Sequence, residues 1–137
     1  MDNVTTGVVD RVLREPGTWA VVGLSTNRAR AAYGVAAYLE TLGHTTVPVH
    51  PAAPTVNGRT GYARLADLPA VPDVVDVFVN SDRAGAVVDE AVTIGAPVVW
   101  LQLGVHADEA VARARAAGVV VVEDTCPAIE GRARGLE

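Results

Sequence analysis

Apolar residues recur along this chain with two alternating periods. In "NVTTGVVDRVLR" (3–14), Val4, Val8, Val9, Val12 and Leu13 share roughly one helical face, and Pro16-Gly17 ends it. "WAVVGL" (19–24) is a short continuous apolar run, as in a buried strand. The helical period returns in "YGVAAYLETLG" (33–43), with Val35, Tyr38, Leu39 and Leu42 inward and Gly43 as the C′ residue. "TTVPVHP" (45–51) reads as a second strand. Pro48 supplies no ladder donor, which argues against a central position for it. Residues 52–61 carry turn chemistry, and "YARLADLP" (62–69) fits one or two helical turns.

The alternation continues to the end. "DVVDVFVN" (73–80) is a third strand, and "SDRAGAVVDEAVTIG" (81–95) a helix with Ser81 or Asp82 as its N-cap. "APVVWLQLG" (96–104) is a fourth strand. "HADEAVARARAAG" (106–118) is a helix with Asp108 and Glu109 in its first turn, where the helix dipole favours acids. "VVVVED" (119–124) is a fifth strand, and "PAIEGRARG" (127–135) a short final helix or tail. Strands alternating with such helices predict an α/β domain with a doubly wound parallel sheet of about five strands in three layers. The valine runs fit strands covered on both faces. One domain over residues 1–137 is expected, with residues 1–16 packing on it as an N-terminal helix. A flavodoxin-like strand order is the alternative arrangement of the sheet.

Composition narrows the classes. The net charge is −5, which disfavours non-specific nucleic-acid binding. No run of about 18 apolar residues and no signal-peptide layout is seen, so no membrane span and a cytoplasmic location are expected. Cys126 is the single cysteine, and His44, His50 and His106 lack ligand spacing, so a metal site is not expected. Cys126 fits a small buried hydrophobe, with a reactive thiol as the other reading. Asp73 and Asp76 lie at or in the third strand, where Asp76 reads as an interior or an entry polar residue.

Ligands of such sheets sit beyond the carboxyl ends of the strands. Four loops meet there: 24–33, 50–61, 80–83 and 102–107. In the first, Gly23 is followed by no second glycine before Gly34, so the dinucleotide fingerprint G-x-G-x-x-G is absent. Ser25, Thr26 and Asn27 instead offer polar groups ahead of a helix N-terminus, and Arg28 and Arg30 add phosphate forks. A solvated, capped turn is the plainer reading. The second strand ends in His50 and Pro51, not in the acid that holds an NAD ribose. A nucleotide with an extra ribose phosphate is therefore admissible, whether NADP or coenzyme A. Asn80 and Ser81 either meet a ligand or cap a helix, with capping favoured for Ser81. Gln102 is costly at the end of an apolar strand unless it meets a ligand or a satisfied network, and Gly104 permits close backbone approach. No nucleophile elbow, P-loop or zinc-protease motif occurs, and no catalytic constellation is found.

The segments "AVVGLSTNRARAAYGVAAYL", "PVHP", "LADLP", "DVVDVFVNSD", "VVWLQLGV" and "EDTCPAIE" resemble the small bacterial CoA-binding proteins. These are single-domain relatives of the CoA-binding domain of the succinyl-CoA synthetase alpha subunit. The resemblance covers about residues 15–132. It implies a Rossmann-like domain that binds coenzyme A or an acyl-CoA, without catalysis of its own. Gly23, Ser25 and the Asn27–Arg30 loop match the family's phosphate-contacting turn, and Tyr33 and Gly34 the start of the helix after it. His50 and Pro51 stand where the family has Asn-Pro, near the adenosine. Phe78, Val79 and Asn80 match the strand end beside the pantetheine, and Gln102 and Gly104 the "WLQ-G" segment. The chain departs from the family at His50, and at Val79 and Asn80, where basic residues are usual. The implied pose puts the pyrophosphate over residues 25–30, the 3′-phosphate near Arg28 or Arg30, and the pantetheine along 78–80 and 102–104. The synthetase's phosphorylated histidine lies in a separate domain, so ligase activity is not expected. The alternatives are an NADP-binding oxidoreductase, and a regulatory interaction protein, monomer or homodimer, responding to CoA or to Cys126 oxidation.

Overall fold

The computed structural model describes residues 1–137. The valine-rich runs form five parallel strands: β1 (Thr18–Val22), β2 (Thr45–Val49), β3 (Val74–Val77), β4 (Val98–Leu101) and β5 (Val120–Val122). Five helices alternate with them: α1 (Asn3–Arg14), α2 (Ala31–Thr41), α3 (Ser81–Thr93), α4 (Asp108–Ala116) and α5 (Pro127–Ala133), with a 3₁₀ turn at Leu65–Asp67. The result is a Rossmann-like α/β fold whose sheet order is β2-β1-β3-β4-β5. This is the flavodoxin-type order, the alternative in the sequence reading. The chain runs outward from β1 to β2, then crosses back to β3 on the other side of β1. The loops leaving β1 and β3 therefore diverge, and a crevice opens between two adjacent strand ends.

The period-2 pleat divides the strand residues between two cores. Trp19, Val21, Val74, Trp100 and Val122 face one layer, with Val9, Val12 and Leu13 of α1 and the inner faces of α2 and α5. Ala20, Val22, Val75, Val77, Val99 and Leu101 face the other, against Ala84, Val88 and Ala91 of α3 and Ala110, Val111 and Ala114 of α4. Burying each such valine is worth about 1.5–3 kcal/mol relative to exposure. Trp19 and Trp100 pack with ring centroids 5.5 Å apart, and the Trp100 indole N–H donates to the Thr125 carbonyl at 2.8 Å. Cys126 is buried in the first core.

Buried polar groups divide into the satisfied and the orphaned. His44 lies beside Trp19; its Nδ1 accepts from the Gly17 N–H at 3.1 Å and its Nε2 donates to the Leu13 carbonyl at 2.9 Å. The ring thus ties the end of α1 to the start of β1. Asp76, between Val21 and Trp100 in the sheet, is fully buried, and neither of its oxygens has a partner.

Strand β2 is an edge strand, which accommodates Pro48. Its flank is held by Glu40. The Glu40 carboxylate accepts from the Thr46 N–H and hydroxyl at 2.8 Å, and from the Arg59 guanidinium at 2.9 and 3.1 Å. Burial opposes its ionisation, but the bonds from Arg59 and Thr46 outweigh that cost and hold the carboxyl below its usual range. The folded form is thus the weaker proton binder. Its contribution is present above the usual carboxylate range and is lost as pH falls through the lowered value. A Glu40→Gln variant is expected to lose about 1 kcal/mol at neutral pH. Acid titrations followed by circular dichroism should show its deficit shrinking as the pH drops.

Candidate functional site

Gly23 sets the geometry where β1 meets its loop. Its φ is +106°, and a Cβ there would stand 3.2 Å from the Phe78 Cβ and 3.3 Å from the Phe78 carbonyl oxygen. Only glycine lets the β1 loop lie this close to the end of β3. Beyond it the loop is held by its own polar atoms. The Asn27 N–H donates to Ser25 Oγ at 3.2 Å, and Asn27 Oδ1 accepts from the Ala29 N–H at 3.0 Å. These local bonds pre-shape the turn. Helix α2 then starts at Ala31 with Arg30 in the N-cap position and no side-chain cap. The Tyr33 N–H donates to the Arg30 carbonyl at 3.1 Å, while the Ala31 and Ala32 N–H groups are left for another acceptor.

A cleft of about 620 Å³ occupies the crevice between the diverging loops. Gly23, Ser25, Asn27 and Arg30 line it from the β1 side, with Ala31 and Ala32 of α2. His50 and Pro51 line it at the end of β2, and Phe78, Val79 and Asn80 at the end of β3. Asn80 occupies the N-cap position of α3 but makes no capping bond, so its amide is unengaged. His50 Nδ1 accepts from the Ala52 N–H at 3.1 Å, which leaves Nε2 without a protein partner. The cleft also gathers residues that the motifs did not single out. Arg83, Val87 and Glu90 form one stripe of α3 along it, and Arg64 closes the β2 end.

The arginines there differ from the rest. Of eleven in the chain, Arg14, Arg59, Arg113, Arg115 and Arg134 each have a carboxylate within 3.3 Å. Arg28 and Arg132 lie over the rings of Tyr33 and Tyr38, at 5.8 and 4.6 Å from the centroids. Four remain, and three of them, Arg30, Arg64 and Arg83, surround the cleft. Arg64 alone approaches an acid, with Nε 3.8 Å from Glu90. A chain of net charge −5 thus places three cations against one carboxylate around a single crevice. Such a concentration focuses an attractive field for anions.

Other expected site residues lie outside the cleft. Thr26 and Gly34 are exposed and do not line it. Arg28 is held aside by Tyr33, whose hydroxyl donates to Asn57 Oδ1 at 3.0 Å. Gly104 has φ +77°, which explains the glycine, but its N–H is engaged by Asp124 Oδ1 at 2.8 Å. Ser81 is not the N-cap. Its hydroxyl oxygen accepts from the His106 N–H at 3.0 Å and so ties α3 to the loop after β4. Gln102 is buried next to this loop, and its Oε1 has no partner. The loops after β1, β2 and β3 therefore share the cleft, while the fourth borders it without lining it.

Comparison with known proteins gives this crevice a context. The family model described as "CoA binding domain" matches residues 17–132, a span holding every residue of the cleft. The chain belongs to this family. As a CoA-binding-type domain it is similar to the uncharacterized protein YneT of Bacillus subtilis (strain 168), 29% identical over 126 residues, covering 92% of this chain and 93% of YneT. Among solved structures, a hypothetical protein from Pyrococcus horikoshii OT3 is 32% identical with a TM-score of 0.89, covering 97% of this chain and 94% of that one. A Thermus thermophilus protein is 27% identical with a TM-score of 0.85, covering 97% and 98% of the two chains. No helix of the chain is long and apolar enough to cross a membrane.

Proposed function

We propose that this CoA-binding-type domain holds coenzyme A or an acyl-CoA in the cleft and performs no chemistry of its own. One observation carries the reading: Arg30, Arg64 and Arg83 surround a crevice that also receives the uncapped start of α2. The pyrophosphate lies over Ser25–Arg30, where the Ala31 and Ala32 N–H groups and the Arg30 fork meet it. The adenosine runs toward β2, among Val49, Pro51, Val79 and Val87. The pantetheine passes Phe78 and Asn80 toward Gln102, whose unpaired Oε1 suits an amide N–H. That oxygen otherwise remains an uncompensated cost.

Thermal melts with CoA, acetyl-CoA, dephospho-CoA, NADP and NAD test this reading. CoA should raise the melting temperature with concentration as RT ln(1 + [L]/Kd) requires, and NAD should not. A shift with NADP and none with CoA would overturn it. Turnover of NADPH by the purified protein would replace the binding role with an oxidoreductase.

A further inference from the structure

The third cleft arginine has a setting of its own. Beyond β2 the chain returns at Tyr62, whose N–H donates to the Pro48 carbonyl at 2.9 Å and whose carbonyl accepts from the His50 N–H at 2.9 Å. This pairing extends the sheet edge and delivers Arg64 to the β2 end of the cleft. Glu90 reaches it from α3. Its Oε1 accepts from the Leu65 N–H at 3.0 Å, and its Oε2 stands 3.8 Å from Arg64 Nε. Glu90 thus sets one negative charge beside the inner end of the guanidinium, beyond hydrogen-bond distance, and none of the guanidinium nitrogens has a protein acceptor.

The other two cations belong elsewhere in the crevice. Arg30 stands at the start of α2 and Arg83 in the first turn of α3, flanking the β1–β3 divergence. CoA carries its charge with the same division, two linked phosphates and one apart on the ribose. His50 Nε2, unpaired at the end of β2, is a second donor on the same side. We infer that Arg64, at the β2 end of the cleft and without a protein acceptor, receives the ribose 3′-phosphate and makes the cleft prefer CoA to its 3′-dephospho form. The inference rests on the proposed CoA binding and moves the 3′-phosphate contact away from the Arg28–Arg30 loop.

Calorimetric titration of the wild type and Arg64→Ala with CoA and dephospho-CoA tests it. The wild type should bind CoA about tenfold or more tightly than dephospho-CoA. Arg64→Ala should abolish that preference by weakening CoA alone. The same contrast should appear between adenosine 3′,5′-bisphosphate and AMP. Arg64 is exposed, so an unchanged melting temperature is expected. Equal weakening of both ligands, or no preference in the wild type, would overturn the role of Arg64 and leave CoA binding standing. Failure of the wild type to bind CoA at all would overturn the proposed function itself.

Discussion

Exchanging Arg30 and Arg83 together for alanine is expected to weaken CoA binding by roughly 10²–10⁴-fold without lowering the melting temperature. The magnitude follows from the charge. A hydrogen bond to a charged group contributes about 1.5–3 kcal/mol, and about 1.4 kcal/mol is a tenfold change in affinity. The absence of a stability cost follows from the contacts. Neither side chain makes a hydrogen bond or an ion pair within the protein, unlike Arg113, which grips Asp89 through two nitrogens at 3.0 and 3.1 Å. Both positions are exposed; Arg83 lies in the first turn of α3, which alanine suits, and Arg30 at the N-cap of α2 makes no capping bond that alanine would lose. Arg28→Ala is the natural control. Its guanidinium sits over Tyr33 and outside the cleft, so little change in affinity is expected. Calorimetry on the double variant and on Arg28→Ala, with thermal melts of each, checks the whole set. A double variant that melts normally and binds CoA as the wild type does would remove these arginines from the site.

The contrast between Arg28 and Arg83 marks how far the sequence can be read. Strands and helices were legible because each carries a local period. The valine runs fall on β3, β4 and β5, and Gly43 follows α2 as a C′ residue should. The neighbour of each strand carries no such signal. The order β2-β1-β3-β4-β5 depends on which way the 50–73 connection returns, and that is settled by packing across the sheet. Arg28 reads as a ligand residue because it sits in a loop of the right kind, yet in the fold its guanidinium lies over the Tyr33 ring and outside the cleft. Arg83 closes the 80–83 loop, but at its own position nothing sets it apart from a first-turn helix residue. One signal did exist: Arg83, Val87 and Glu90 precede the buried stripe Ala84, Val88 and Ala91 by one position, and so form a second face. What that face meets is a matter of tertiary structure. Ser81 reads as a cap for the same reason, since a serine before a helix is locally plausible whatever loop lies across from it.

Asp76→Val is expected to stabilise the fold by about 1–3 kcal/mol at neutral pH. Asp76 lies in β3 between Val21 and Trp100, with no accessible surface and no partner for either carboxylate oxygen. Burial pushes its carboxyl well above the usual range. In the unfolded chain the same group ionises near pH 3.9. Above that pH the folded state is therefore the better proton binder. Asp76's contribution is greatest below the unfolded value and is lost as pH rises toward and through the raised folded one. Valine removes the titration and the unpaired oxygens together, and its branched side chain suits a strand covered on both faces. Asp76→Asn separates the two effects. It cannot ionise, so it should lose the pH dependence while keeping a buried polar group, and its gain at neutral pH should be the smaller. Denaturant melts of the three proteins between pH 4 and 8 provide the measurement. If Asp76→Val is less stable than the wild type throughout that range, the carboxyl is serving a bound water or a neighbour, and its burial is not a net cost. If stability rises while CoA affinity falls, the cost is retained for the ligand. The unpaired Oε1 of Gln102, just past the end of the neighbouring β4, makes that second outcome physically coherent, because two buried polar groups without partners are then kept for binding at the expense of stability.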